Sequence, residues 1–281
     1  MKKTGCFFFS FVPLLLAVGI QLLASFFLIG ISGLAFLPSI ASGSSLTDFL
    51  SMFLDPDFST TLMIIYSLIV IASFGIWYYH SYGGNFLPKV QKIYHPYKIF
   101  GIVLLVPGMQ LLSGYLVSLL ASLFPSWLEY YEKLLESAGL DDSISLAMLL
   151  YSVILAPIGE ELIFRGVTMR IARSHFSFLF ANILQAFLFG VYHMNMIQGC
   201  YAFCLGLLLG YICERGGSIY FSMFLHFLFN IWGTLISPHF SYGSTPMSFV
   251  LFLCAATLLT ASGLKLFGEG RRHTPFAEEL L

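Results

Sequence analysis

Apolar residues run almost unbroken along most of this chain, in stretches of roughly 20 separated by short polar connections, and about 20 residues is what an α-helix needs to cross a bilayer. Eight such stretches recur, near Phe7 to Leu37, Thr60 to Tyr79, Ile99 to Phe124, Ser145 to Ala172, Phe176 to Met194, Ile197 to Cys213, Ser218 to Ile236 and Ser248 to Phe267. The pattern predicts an all-α fold, a polytopic transmembrane helix bundle of about eight spans. The first stretch follows Lys2 and Lys3 and imitates a secretory signal, but its apolar part is too long and no small-residue site ends it cleanly, so it counts as a span. Polar connections of at most about 20 residues leave no room for a soluble domain, and residues 1–281 read as one membrane domain.

One connection carries its own pattern. Ser126-Trp127-Leu128-Glu129 has the form of a capping box, and Trp127, Leu128, Tyr131, Leu134 and Leu135 then make an apolar stripe that stops near Gly139. That predicts a short amphipathic helix, either lying on the membrane surface or packed against the bundle. Gly206 and Gly210 form a small-xxx-small pair suited to close helix packing. No internal repeat of the inverted kind found in many transporters is visible.

Charge fixes the orientation. Lys and Arg collect on the cytoplasmic side of membrane proteins, and here they alternate with acidic connections. Lys2 and Lys3, then Lys89, Lys92 and Lys98, then Arg170 and Arg173, then Arg215, and finally Lys265, Arg271 and Arg272 mark one side. Asp48, Asp55 and Asp57, then Glu129, Glu132, Glu136, Asp141 and Asp142 with Lys133 as their single cation, mark the other. Both termini are therefore expected in the cytoplasm.

Composition agrees: 58% of residues are hydrophobic and 10% charged, against about 25% charged in soluble domains. A net charge of −1 without a basic cluster excludes nucleic acid as a partner; membrane lipid is the expected surroundings. Cys6, Cys200, Cys204, Cys213 and Cys254 lie in or beside apolar runs and read as packing residues. Short loops and the lack of a targeting segment point to a bacterial cell membrane.

Against this background Glu160 and Glu161 stand out, because an ionisable group inside a span costs at least a few kcal/mol and is read as functional, with a named partner. Arg165 lies four residues after Glu161, on the same helical face, and cannot comfortably meet Glu160 as well. Glu160 is left in a desolvated setting without a cation, which suits a general base. Pro157 removes a backbone donor just before the pair and is expected to open the helix, freeing a carbonyl. Further on, His193 and the pair His226 and Asn230 are also deep in apolar runs. If the fourth and fifth stretches form a hairpin turning near Ser174 and His175, Glu160 and His193 sit roughly 20 to 30 Å from that turn, and Asn230 is roughly 20 Å from the turn near Gly217. All the polar groups converge on one layer.

These residues resemble the motifs of the CPBP membrane proteins, the family of the CAAX prenyl endopeptidases and their bacterial relatives linked to bacteriocin processing and immunity. Glu160-Glu161-Leu162-Ile163-Phe164-Arg165 fits EExxxR, Phe189 to His193 fits FxxxH, and His226 to Asn230 fits HxxxN. The resemblance places a catalytic core at about residues 143–238. It implies intramembrane peptide-bond hydrolysis by a glutamate-activated water, acting on a peptide or protein substrate that is lipidated or not. Glu160 would be the base, His193 would hold the water, Asn230 would serve the oxyanion with His226 orienting or sharing that task, and Glu161 with Arg165 would be a structural ion pair. No cofactor is expected. The alternatives are a zinc ion held by Glu160, His193 and His226, which would activate the water itself, and a non-catalytic immunity or transport protein whose buried groups serve an ion path or helix packing.

Overall fold

A computed structural model describes residues 2–82, 93–138, 144–237 and 245–274. Lys89, Lys92, Gly139, Asp141, Asp142 and His239 lie outside the described residues. Among those described there is no strand, and seven helical segments are long and apolar enough to cross a membrane. The chain is a multi-pass membrane protein.

The elements follow one another as α1 (Lys3–Phe9), α2 (Val12–Ala41), α3 (Leu46–Ser51), α4 (Pro56–Tyr82), α5 (Pro96–Leu123) and α6 (Pro125–Ser137). Then come α7 (Leu146–Arg173), α8 (Phe178–Tyr192), α9 (Met196–Gly216), α10 (Ile219–Ile236) and α11 (Pro246–Arg272). The first apolar stretch is divided between α1 and α2, because Pro13, near the start of α2, has no N–H to continue the ladder. The fifth stretch differs more from its expectation. Its helix has 15 residues, about 22 Å at 1.5 Å each, shorter than a bilayer core of about 30 Å. The apolar run continues past the helix end, but Met194 adopts a positive φ of 55° and Asn195 caps the next helix, its side chain accepting from the Gln198 N–H. Among the described residues there are thus seven long apolar helices and one short one, and the turn after the short one follows His193 directly.

Close backbone approach sets the packing. Along α5 and α11, a methyl group on Gly101 would come 2.7 Å from the Phe267 nitrogen, and one on Gly263 would come 2.8 Å from the Gly101 oxygen. Further along, Tyr115 donates to the Phe249 carbonyl at 2.9 Å, so the two helices run antiparallel over most of their length. α8 and α9 form a second tight hairpin. Gly190 faces Gly199, Gly206 faces Ala186 and Phe189, and Gly210 faces Asn182 and Gln185.

α6 is the amphipathic helix, with Trp127, Leu128, Tyr131, Leu134 and Leu135 half-buried along one side. Its start is not the expected capping box. Pro125 opens the helix two residues earlier, pre-set in φ and needing no donor, while Phe124 instead of Ser126 occupies the cap position and stacks on Trp127. Lys133 bonds Glu129 on the outer face at 2.7 Å and holds that carboxyl below its usual range. On the inner face the Tyr131 hydroxyl meets that of Tyr201 on α9 at 3.4 Å.

The cationic helix ends assemble into one layer. Cys6 of α1 donates to the Ile171 carbonyl, Arg173 pairs with Glu214 at 2.9 Å, and Lys98 donates to the Gly216 carbonyl. Arg170 lies over Tyr78 and Tyr82, and His95 stacks on His273. The acids of α3 and α6 belong to the opposite end. By the preference of Lys and Arg for the cytoplasm, a green fluorescent protein fused after Thr274 should fluoresce in intact cells and an alkaline phosphatase fused there should be inactive. The reverse pair of signals would overturn this orientation.

Candidate active site

The site is built around a break in α7. Near its start the helix widens: the Ala156 N–H donates to the Tyr151 carbonyl, five residues back. The next donor in that register is Pro157, which has none. The Ser152 carbonyl is instead taken by Asn230 from α10, whose Nδ2 lies 2.8 Å away. A second widened stretch, Leu162–Thr168, follows the two glutamates. Wide turns of this kind are concentrated at functional sites, and here they flank Ala156–Glu161 on both sides.

Glu161 and Arg165 are completely buried and joined at 2.9 Å. Arg165 also donates through Nη2 to the Gly206 carbonyl at 3.3 Å, and its guanidinium lies 4.5 Å from the Phe189 ring centre. Gly206 has no side chain to block that approach, and its carbonyl also accepts from Gln185 at 2.9 Å. The same Glu161 oxygen that accepts from Arg165 lies 3.0 Å from His226 Nδ1. The other nitrogen of that ring, Nε2, faces Glu160 Oε2 at 3.5 Å. One imidazole therefore stands between the two carboxylates. With Nδ1–H donating to Glu161, Nε2 and Glu160 can face each other favourably only by sharing a proton. Glu160 itself retains 8% exposure, whereas Glu161 has none.

Phe189 organises the surroundings. Its ring centre is 4.9 Å from that of His193 and 5.8 Å from that of His226, so both imidazoles and the guanidinium border one aromatic side chain. His193 lies at the end of α8, where Asn195 Nδ2 bonds its carbonyl at 3.1 Å. Among the described residues no direct hydrogen bond links His193 to Glu160, nor do three His, Cys, Asp or Glu side chains converge as a metal site. The residues thus divide into Glu160, Glu161, Arg165 and His226 in direct contact, His193 against Phe189, and Asn230 one helical turn beyond His226, held by the Ser152 carbonyl.

Tyrosines were not among the residues singled out from the sequence, yet Tyr66 of α4 bonds Tyr192 hydroxyl to hydroxyl at 2.7 Å. Tyr66, Tyr151, Tyr192 and Tyr201 all lie within electrostatic reach of Glu160. Adjacency to His193 was the one local sign for Tyr192; for Tyr66, more than a hundred residues away, the sequence held none.

Residues 142–232, which contain all three motifs, match the family described as type II CAAX prenyl endopeptidase, Rce1-like. No curated protein and no solved structure matches the chain.

The buried pair separates the roles of the two acids in a stability measurement. Arg165→Gln leaves Glu161 buried without its cation and should cost about 3–5 kcal/mol, seen as a large drop in the thermal midpoint of the detergent-purified protein. Glu160→Gln should change stability by less than about 1 kcal/mol. Equal effects would contradict the division.

Proposed function

We propose that this chain, a member of the Rce1-like CAAX prenyl endopeptidase family over residues 142–232, is an intramembrane endopeptidase in which Glu160 activates the attacking water. The observation that carries this reading is the unequal state of two neighbouring carboxylates. Glu161 is occupied by Arg165 and His226, while Glu160 faces a single imidazole nitrogen at 3.5 Å and keeps 8% exposure.

In the proposed reaction Glu160 takes a proton from water as the oxygen attacks the scissile carbonyl, and His193 steadies that water from the α8 turn. His226, fixed through Nδ1 by Glu161, keeps the proton it shares with Glu160 on Nε2 and so leaves that acid a carboxylate able to accept the proton from water. One amide hydrogen of Asn230 is bound to the Ser152 carbonyl; the second is available for the oxyanion of the tetrahedral intermediate, and the first bond fixes its direction. The proton then passes from Glu160 to the departing amine as the C–N bond breaks. Water, base and leaving group balance without an external reagent, and no cofactor is required. The substrate class is a peptide or protein segment at the membrane, lipidated or not, and the host membrane is a bacterial cell membrane.

The test compares peptide termini in membranes expressing the wild type with those expressing Glu160→Gln. New termini should appear only with the wild type, since losing a general base costs roughly 10²–10⁴-fold; identical sets of termini would refute the protease reading. Cleavage should also persist after dialysis against a strong zinc chelator. Loss on chelation with recovery on added zinc would instead assign the activation to a metal.

A further inference from the structure

We propose that a cavity at the cationic end of the bundle, remote from the glutamates, binds the phosphate headgroup of an anionic phospholipid. The cavity holds about 570 Å³ and lies between the start of α5 and the ends of α9 and α11. Its wall includes Lys98, Arg215, Lys265, Arg271 and Arg272, and among the described residues Glu269 is the only carboxylate there. Glu269 is already bonded to Arg272 at 2.8 Å. Among the described residues, cations thus outnumber acids in this wall.

Lys98 is a second, independent sign of an anion. It is 1% exposed, and its ammonium is held by the carbonyls of Ile93 at 2.9 Å and Gly216 at 3.3 Å and by the face of Phe221. Among the described residues no carboxylate pairs with it. A buried charge normally carries a charged partner, because dipoles alone recover only part of its lost hydration. Its bond to the last carbonyl of α9 also offsets part of the negative helix end that would repel an anion. Basic pockets between spanning helices on this side suit phospholipid headgroups.

Size and surroundings favour a lipid over a free ion. The volume is that of a small-molecule site, about 300–1,000 Å³, and much more than one phosphate fills. The cavity wall also carries apolar side chains, Ile93, Tyr211, Leu264 and Phe267, against which the start of an acyl chain can rest.

The experiment is native mass spectrometry of the full chain in mild non-ionic detergent, titrated with phosphatidylglycerol, phosphatidylcholine or glycerol 3-phosphate. One phosphatidylglycerol should bind at least tenfold more tightly than phosphatidylcholine. Arg215→Gln with Lys265→Gln should remove that preference, whereas Lys2→Gln with Lys3→Gln, an equal loss of charge elsewhere on the same end, should retain it. Glycerol 3-phosphate should not displace the lipid at equal concentration. Equal binding of the two lipids, equal loss in both double variants, or displacement by glycerol 3-phosphate would each overturn the proposal.

Discussion

A buried guanidinium joined to a buried carboxylate is the constraint around which the inner half of this bundle is arranged. Neither Arg165 nor Glu161 has any exposure, and an ion pair moved out of water recovers its lost hydration only if the remaining donors and acceptors are also used. α7 cannot supply those partners alone. The carbonyl of Gly206 and the face of Phe189 come from the α8–α9 hairpin, and the imidazole of His226 comes from α10. The ion pair therefore binds three parts of the fold at a single depth, and the glycines that let α8 and α9 approach are what bring the Gly206 carbonyl within reach.

This arrangement gives two adjacent carboxylates different surroundings. Successive helical residues point about 100° apart, so the direction that takes Glu161 into the ion pair turns Glu160 away from Arg165 and toward His226 Nε2. The wide turns on either side add to the effect, because they leave backbone groups for side chains to use. Asn230 uses one of them, the Ser152 carbonyl, and is thereby oriented. Among the described residues this layer pairs Glu161, Arg165, His226 and Asn230 but leaves Glu161 Oε2, Arg165 Nε and Gln185 Oε1 without hydrogen-bond partners, and Glu160 has one contact at 3.5 Å and 8% exposure.

Much of this was legible in the chain. Spans declare themselves by composition and length, and the Glu161–Arg165 spacing of four predicts contact from helix geometry alone. Pro157 announced the break. Depth could be counted from the turns, but depth is not direction: nothing in HxxxN says that His226 faces the glutamates while Asn230 faces a carbonyl. The shortness of α8 was hidden because the apolar run continues through Val191 and Tyr192 to Met194 and Met196, and the backbone turn there depends on Asn195 and one positive φ. Tyr66 reaches Tyr192 through tertiary packing, which leaves no mark on local sequence. Lys98 read as a loop cation, yet it is buried because α9 and α11 close over it.

The division between the two acids can be measured directly with dicyclohexylcarbodiimide, which enters the bilayer and modifies carboxyl groups that are accessible and carry a proton. Mapping the adduct by peptide fragmentation should place it on Glu160, which shares a proton with His226 and retains slight exposure, and leave Glu161 unmodified in its ion pair. An adduct on Glu161 with Glu160 spared, or equal modification of both, would contradict the account.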